Sequence, residues 1–402
     1  MNSVGIDVSK GKSMIAVMRP FGEVVISPFE VHHTESELSA LAKRLKSLDG
    51  ETRVVMEATG NYHLPLAQVL HNAGLYVSVV NAMLVHDYGN NSLRRAKTDK
   101  KDAVKLSNYG LTHWLTLPRY SSEEDTRLLL KNCYRQYQQY SKIQTTLKNN
   151  LISLLDTVFP NANRFFTSPV RSDGSEKWID FVAKFWHCKT VCKYSEKAFV
   201  DRYQKWCCKH NYNFNKQKAL YIYSEACKCI SVIPISPTTE LLVKQAVVQI
   251  RTASIALTAI KQKMQDLAKT LPEYTVVMNM FGVGDSLGPQ LMAEIGDVRR
   301  FHSKKALVAF AGIDAPPYQS GQMVIHSRSI SKRGSASLRR TLFLIMSVYL
   351  QRAPINEAVY QFINKKRSEG KPYRVYMMAA ANKFLRIYYA TVKAHLSLLE
   401  HH

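Results

Sequence analysis

The chain has 402 residues, 46% of them hydrophobic, which is enough for about two or three domains with sizeable cores. It carries 55 Lys and Arg against 31 Asp and Glu, a formal net charge of +24. Such an excess favours a polyanionic partner, either nucleic acid or an anionic membrane surface. The longest apolar run, around residues 342–346, is far too short to cross a bilayer, and the chain opens without a signal-peptide pattern. Nucleic acid is therefore the stronger interpretation, and no membrane partner is expected.

Short strand patterns open the chain, and alternating helix and strand patterns follow them. The closely spaced first strands predict antiparallel hairpins. The predicted elements are strands at 4–10, 14–18 and 22–26, a helix at 35–48, a strand at 53–56, a helix at 63–72, a strand at 75–80, a helix at 83–90, and a helix that follows residue 97. This order is typical of a ribonuclease H-like domain.

Four acidic residues occupy the positions from which such folds supply their catalytic acids. Asp7 and Glu57 end predicted strands, and Asp99 and Asp102 lie one turn apart on one helix face. Singly, each has a plainer interpretation, as a solvated strand-end acid or as a first-turn acid favoured by the helix dipole. Together they suit a hard cation such as Mg²⁺. Two such ions about 4 Å apart can activate a nucleophile and stabilise the leaving oxygen in phosphodiester chemistry.

The middle of the chain contains two long helical patterns of about nine turns each. The first opens with a capping box at residues 121–124 and is stopped by Pro160; the second runs from about 239 to 271 and is stopped by Pro272. Their spacing is typical of an antiparallel coiled-coil hairpin or an oligomer interface, and a role inside one globular core is the alternative. The apolar positions are Leu129, Cys133, Tyr137, Tyr140, Ile143, Leu147, Leu151, Leu154 and Val158 in the first, and Val243, Val247, Ile250, Ala253, Leu257, Ile260, Met264 and Leu267 in the second.

A cysteine-rich insert, residues 161–237, separates these two patterns. Its ligand types suit zinc, but neither a Cys-x₂-Cys pair nor a His-x₃-His pair is present, so cysteines packed in a core are predicted. The residues concerned are His187, Cys188, Cys192, Cys207, Cys208, His210, Cys227 and Cys229. The seven cysteines of the chain form no secreted disulfide framework, which predicts a reducing cytoplasm.

Glycines and cations mark the last third as a nucleic-acid-facing region. Gly282 and Gly284 lie between two helical patterns, either as a helix-hairpin-helix turn that meets a phosphate or as a plain turn that needs a positive φ. A basic run then feeds a helix and suits phosphate binding; its members are Arg328, Lys332, Arg333, Arg339 and Arg340.

Ser320 precedes Gly321 in a turn-like stretch. On sequence alone it reads as an ordinary turn serine, since no neighbouring histidine or lysine motif marks it as activated. The terminal residues 399–402 resemble the start of a histidine tag, so they are set apart from the fold.

Taken together, these motifs resemble the DEDD transposases of insertion-sequence family one-ten. The resemblance covers roughly residues 4–155 and 240–390, and the insert matches no motif. In the first half the motifs are Gly5-Ile6-Asp7-Val8, Met56-Glu57-Ala58-Thr59-Gly60-Asn61-Tyr62 and Lys97-Thr98-Asp99-Lys100-Lys101-Asp102-Ala103. In the second half they are Phe281-Gly282-Val283-Gly284, Phe310-Ala311-Gly312-Ile313, Tyr318-Gln319-Ser320-Gly321 and Ser331-Lys332-Arg333-Gly334 with Leu338-Arg339-Arg340.

The resemblance implies three parts in an α/β plus α protein: a RuvC-like domain (1–115), coiled-coil arms with the helical insert (120–272), and a mostly helical transposase domain (273–398). It implies that Asp7, Glu57, Asp99 and Asp102 bind Mg²⁺, with Mn²⁺ as a substitute. It implies that Ser320 attacks DNA and forms a 5′-phosphoserine intermediate, in a site shared between protomers. It also implies donor and target DNA, a non-coding bridge RNA, and homodimers that join into a homotetramer in the bacterial cytoplasm, associated with the nucleoid.

Three other functions remain compatible with the sequence. A metal-dependent RuvC-like endonuclease would cut by water attack, with Ser320 structural. A site-specific DNA invertase would share the same motifs. A non-enzymatic nucleic-acid scaffold would leave the four acids solvated and would behave independently of Mg²⁺.

Overall fold

In the computed structural model, the chain divides into two compact units, Met1–Glu123 and Glu124–His402. The structure describes residues 1–58, 60–88, 98–120, 125–315, 318–320, 323–325 and 329–400, without the side chains of residues 83, 87, 318–320 and 323–325. The predicted capping box at 121–124 and Arg328 lie outside the described residues. Within the described ranges, none of the helices combines the length and the apolar character that a bilayer span requires.

A five-stranded mixed sheet forms the centre of the first unit. Its order is β3-β2-β1-β4-β5, where β1 pairs antiparallel with β2, β2 antiparallel with β3, β1 parallel with β4, and β4 parallel with β5. The strands are β1 Asn2–Val8, β2 Lys12–Met18, β3 Val24–His32, β4 Thr52–Glu57 and β5 Tyr76–Val80. The predicted antiparallel hairpins are confirmed, and the strand order is compatible with a RuvC-like domain.

Helices cover both faces of this sheet. They are α1 Glu35–Lys46, α2 His63–Asn72, α3 Ala82–Tyr88 and α4 Asp99–Thr112. α1 forms because Thr34 caps it, accepting from the Glu37 N–H, and because Leu38, Leu41 and Leu45 return to one face. Val4, Ile6 and Val8 of β1 share a core with α1 and α2. Alternate side chains of a strand point to opposite faces, so Ser3, Gly5 and Asp7 of β1 lie on the face that α4 covers.

Two long helices, α5 Asp125–Val158 and α10 Pro237–Lys269, pack side by side in the second unit. They run antiparallel: Arg127 pairs with Glu273, just beyond the end of α10, and Gln144 Nε2 donates to Ser254 Oγ at 2.8 Å. The predicted stripe of α5 is wrong near its start, because Leu129 is 54% exposed while Leu130 and Tyr134 are buried. The middle of α5 is half-exposed, since residues 135–150 include no buried side chain, whereas Ser254 of α10 is buried there.

Four helices form the insert, and an aromatic core joins them to one end of the α5–α10 pair. They are α6 Lys177–Lys184, α7 Cys188–Cys192, α8 Glu196–Lys209 and α9 Lys216–Lys228. Phe181, Tyr203 and Trp206 are buried together with Leu155 of α5 and Val247 of α10. The insert is therefore an ordered helical subdomain of the second unit.

The other end of the pair belongs to a larger core built by the carboxy-terminal region. The elements are α11 Tyr274–Met278, α12 Leu287–Ile295, α13 Lys304–Ala311, β6 Tyr318–Ser320, β7 Met323–Ile325, α14 Ala336–Arg352, α15 Ala358–Ser368 and α16 Tyr373–Glu400. Leu130 and Met264 of the pair share this core with Phe384 and Tyr388 of α16. Residues 399–400, expected to stand apart from the fold, instead complete α16, and Arg299 pairs with Glu400.

Candidate active site

Asp7 and Glu57 lie side by side at the carboxyl ends of two parallel strands. Ile6 pairs with Met56 in the β1–β4 register, so the next residue on each strand is one of the two acids. Parallel neighbours lie about 4.8 Å apart across the sheet. Both side chains are half-buried and sit on the face opposite the α1–α2 core. The sheet therefore presents two carboxylates together at one edge, on the face that α4 covers.

Small residues bring α4 unusually close to β1. A Cβ added to Gly5 would lie 2.0 Å from Ala103 O and 2.3 Å from Ser107 N, and one added to Gly110 would lie 2.3 Å from Ser3 Oγ. The Ser107 hydroxyl donates to Ser3 O at 2.6 Å in this buried contact. Gly110 thus lies over the start of β1 and Ala103 over its middle, so α4 runs opposite to β1. Its first turn must then lie toward the strand end that carries Asp7.

Asp99 and Asp102 occupy that first turn of α4. Asp99 precedes the buried Ala103 by four residues, and Asp102 precedes the buried Leu106 by four. Residues four apart share a helix face, so both acids project on the side of the sheet. Thr98 caps the turn by accepting from the Lys101 N–H, and Asp99 is exposed while Asp102 is half-buried.

Lys12, at the start of β2, gives a second sign of where Asp99 lies. The pKa of the Lys12 ammonium is raised, mainly by its hydrogen bond and attraction to Glu30, and to a smaller extent by the Asp99 carboxylate. Lys12 is close to the end of β1, because Ser13 pairs with Val8. The four predicted acids therefore gather at one end of the sheet.

The four acids gather without forming a closed metal site. Across the ranges that the structure describes, no three His, Cys, Asp or Glu side chains are arranged to hold a metal ion. The donor set nevertheless fits a hard divalent cation, since all four groups are carboxylates and oxygen is the ligand that Mg²⁺ requires. Asp7 and Glu57 are each engaged in at least one polar or electrostatic interaction.

Ser320 is the last residue of β6. It pairs with Met323 of β7, so two residues connect the strands of this short antiparallel hairpin. Its side chain lies outside the described part of the structure. The predicted turn serine therefore ends a strand at the tip of a hairpin.

The base of this hairpin is fastened to α13. The Ser331 N–H donates to Asp314 O at 2.8 Å, and its hydroxyl donates to Asp314 Oδ1 at 2.5 Å. Lys332 N–H donates to Gly312 O at 3.0 Å, with Lys332 at a φ of 54°, which is uncommon outside glycine. These hydrogen bonds join the segments that precede and follow the hairpin.

One of the predicted basic residues, Arg339, makes hydrogen bonds within the fold, whereas the other described ones are exposed. Arg339 Nη1 donates to Ala311 O and Gly334 O, both at 3.0 Å, so its guanidinium ties α14 to the end of α13. Lys332, Arg333 and Arg340 are exposed. Arg328 lies outside the described residues. Arg339 therefore has a bracing role that the sequence pattern did not indicate.

Close packing and backbone conformation explain why a glycine occupies position 282, in the turn between α11 and α12. Gly282 has a φ of 78°, and a Cβ there would lie 3.2 Å from both Ile345 and Tyr349, whereas Gly284 faces open space. The first glycine is thus required by backbone conformation and close packing, as the plainer interpretation holds. Gly284 is exposed, and phosphate binding at this turn stays a prediction.

The cysteines of the insert are partly core residues. Cys188 and Cys207 are buried, which confirms the prediction for them, whereas Cys208 and Cys227 are exposed, so the prediction is wrong for those two. Cys188 Sγ lies 3.6 Å from His187 Nδ1. Burial raises the pKa of the Cys192 thiol to about 12, together with contact to Cys227.

Sequence reasoning missed the residues that position the site. Ser3, Gly5, Ser107 and Gly110 set the distance between α4 and β1, although none has catalytic chemistry. The sequence does contain a sign of this contact: Ser3 and Gly5 place small side chains on one face of β1, which indicates that another backbone approaches closely.

Comparison with known proteins identifies both halves of the chain. A family model described as a transposase, of the DEDD type found in IS110 elements, matches residues 4–160. A second model, described as transposase of the IS116/IS110/IS902 family, matches residues 274–361. Two pilin gene-inverting proteins, from Moraxella bovis and Moraxella lacunata, are each 23% identical over 341 residues, which is 85% of this chain and 80% of theirs.

Proposed function

Because this chain belongs to the IS110 family of DEDD transposases, which makes it a DNA recombination enzyme, we propose that it excises and inserts a mobile element by Mg²⁺-dependent strand exchange. The observation that carries this proposal is the placement of the four acids at one end of the sheet. Asp7 and Glu57 end neighbouring strands in register, and Asp99 and Asp102 open the helix packed over them.

In this proposal Asp7, Glu57, Asp99 and Asp102 hold the divalent cation through their carboxylate oxygens. When bound, the cation neutralises the charge of the reacting phosphate and favours ionisation of the attacking hydroxyl. The close packing of α4 on β1 fixes the separation of the two carboxylate pairs. Carboxylates that lie near one another repel, and a divalent cation bound among them would offset that repulsion.

Ser320 is the proposed nucleophile. Its Oγ forms a bond to the phosphorus while the bond from phosphorus to the 3′ oxygen breaks, and the hydroxyl proton leaves as the 3′ hydroxyl is released. The 5′-phosphoserine preserves the energy of the phosphodiester. A 3′ hydroxyl of the exchanging strand then attacks this phosphorus, and serine leaves. No histidine is needed beside Ser320 if the cation favours its ionisation.

The proposal includes a bridge RNA and a homotetramer assembled from homodimers, with acids and serine supplied by different protomers. The net charge of +24 supports binding to two nucleic acids through their phosphates. Base pairing with the RNA would supply the sequence specificity that phosphate contacts lack.

Covalent trapping tests the chemistry. Protein, Mg²⁺, element-derived RNA and labelled donor and target DNA are combined and run on a denaturing gel. We expect a protein–DNA adduct that disappears in Ser320→Ala and in Asp102→Asn. The matched controls are Ser368→Ala on α15 and Asp156→Asn on α5, both at exposed positions, which should keep the adduct. If the DNA is cleaved without an adduct, and this cleavage persists in Ser320→Ala, the protein is a water-using endonuclease and the serine mechanism is overturned.

A second candidate function, site-specific DNA inversion, is favoured by the names of the two Moraxella relatives. Inversion would break and form the same phosphodiester bonds as excision, but between two recombination sites in inverted orientation. A plasmid with two inverted sites and a plasmid with an excisable element separate the two functions. Inverted plasmid without free excised circles would support the invertase.

A further inference from the structure

A large open cleft lies in the second unit, bordered by α13, α14, α15, α16 and the base of the β6–β7 hairpin. Its volume is about 1470 Å³. Pockets for small molecules usually measure about 300–1,000 Å³, so this one suits part of a polymer. Ala315 and Ser329, which flank the hairpin, both line it.

The floor of the cleft is apolar and includes two phenylalanines. Phe343 of α14 and Phe362 of α15 line the cleft and are only half-buried. Lys383 Nζ lies 5.1 Å from the centroid of the Phe362 ring. Val308, Ile330 and Met378 add further apolar surface to the cleft.

The rim of the cleft is strongly cationic. Five basic residues line it, namely Lys305, Lys332, Arg374, Lys383 and Arg386. Among the described lining residues the acid is Asp314, and its carboxylate already accepts the Ser331 hydroxyl. The rim therefore has a clear excess of positive charge, suited to a chain of phosphates.

This combination distinguishes an unpaired strand from a duplex. A duplex hides its base faces within the stack and offers mainly phosphates, whereas an unpaired strand can place bases on aromatic rings and phosphates on cations. Along α16, Arg374 and Arg386 are separated by about 18 Å, which is long enough for several nucleotides. We propose that this cleft binds an unpaired nucleic-acid strand, bases on the floor and phosphates on the rim.

The cleft borders the base of the hairpin that carries Ser320 at its tip, so the bound strand would lead toward the residue proposed to cut. This placement rests on the proposed function, whereas binding of the strand does not. Unpaired DNA and unpaired RNA share the recognised chemistry, and the experiment distinguishes them.

The test measures the fluorescence anisotropy of labelled oligonucleotides of about eight nucleotides, added to the full chain in EDTA. Oligo-dT, oligo-U and a duplex of equal length form the three arms. We expect an unpaired strand to bind more tightly than the duplex, and the better of oligo-dT and oligo-U identifies the strand type. The double variant Lys305→Glu/Arg386→Glu should weaken binding at least tenfold and lower the salt slope by about 1.4, which is about 0.7 for each lost phosphate contact. Phe362→Leu, which keeps an apolar side chain, should weaken binding about tenfold by removing a stacking ring.

The matched control is Lys261→Glu/Lys263→Glu, which reverses two exposed charges on α10 away from the cleft. Its affinity should change much less than that of the rim variant. Equal binding of duplex and single strand, or equal losses in the rim and control variants, would overturn the proposal. Because EDTA prevents metal-dependent cleavage, and Ser320→Ala should bind normally, failure here is distinguishable from failure of the serine mechanism.

Discussion

Gly5 shows how one residue sets the geometry of the candidate site. Its missing side chain allows the backbone of α4 to rest on β1, and the obstructing atoms are backbone atoms of Ala103 and Ser107. Backbone in the middle of a helix cannot step aside as the end of a flexible side chain can. The position of Asp99 and Asp102 relative to Asp7 therefore depends on this glycine.

We expect Gly5→Ala to lower the free energy of unfolding by about 3 kcal/mol, the upper range for overpacking, because α4 must shift away from β1. Adduct formation should fall together with stability. Thermal unfolding and the trapping gel measure the two effects. The control is Gly284→Ala, where a Cβ meets open space and should cost little. Equal stability of the two variants would contradict the tight packing described.

The raised pKa values of two thiols in the insert predict that their reactivity depends on pH. Burial and the Cys188 thiol raise the pKa of Cys229 to about 11, and burial with the Cys227 contact raises that of Cys192 to about 12. At pH 8 a thiol of pKa 11 is ionised in roughly one molecule in a thousand, and the thiolate is the form that reacts.

Alkylation by iodoacetamide, mapped by mass spectrometry, should therefore be slow at Cys192 and Cys229 at pH 8. It should accelerate about tenfold for each pH unit up to the raised pKa. Cys208, which is exposed on α8, is the internal reference and should react first. Alkylation of Cys229 at pH 8 as fast as that of Cys208 would show that its environment does not suppress the thiolate.

At the scale of elements, α5 and α10 connect two cores. One end of the pair is buried with the insert and the other with the carboxy-terminal region, while the middle is half-exposed. Ile143 is 39% exposed and Ile255 is 67% exposed in this middle section. A coiled coil with a second protomer would cover such side chains, and this stays a prediction.

Leu257→Pro tests that role, since proline inside a helix removes a hydrogen bond and costs about 3 kcal/mol or more. Breaking α10 should separate the pair and prevent assembly of the proposed oligomer. Light scattering gives the oligomeric state, and circular dichroism shows whether the rest of the chain stays folded. Leu257→Ala, which keeps the helix, should retain more of the assembly. An unchanged oligomer in the proline variant would count against the arms as the interface.

In the whole molecule, the net positive charge and the local cluster of four acids serve different purposes. The first unit carries the four acids, two on its mixed sheet and two on α4, and the second carries the Ser320 hairpin and the cationic cleft. A net charge of +24 favours the approach of nucleic acid to any part of the surface. Local acids are what a divalent cation requires, so the acidic cluster stands out in an otherwise basic protein.

Local patterns were sufficient for much of this protein. Hydrophobic period, caps and strand-end acids predicted the five strands, the two long helices and the four carboxylates, because these depend on neighbours within a few residues. The motif resemblance identified the family, which the comparisons confirmed. Leu151 and Val158 of α5 are buried as predicted. Near the start of that helix the buried stripe was predicted one residue out of place, because the partners that select Leu130 over Leu129 come from distant helices.

Only the tertiary structure decided how these parts meet. The contact of Gly5 with Ser107 joins positions about a hundred residues apart, and no local pattern specifies it. Likewise, Arg339 belongs to a basic run predicted to bind phosphates, and it is the position of the Ala311 backbone that makes it a structural residue. Sequence thus determined the chemistry available to this protein, and packing decided where each group lies, since a side chain's surroundings are set by contacts between segments far apart along the chain.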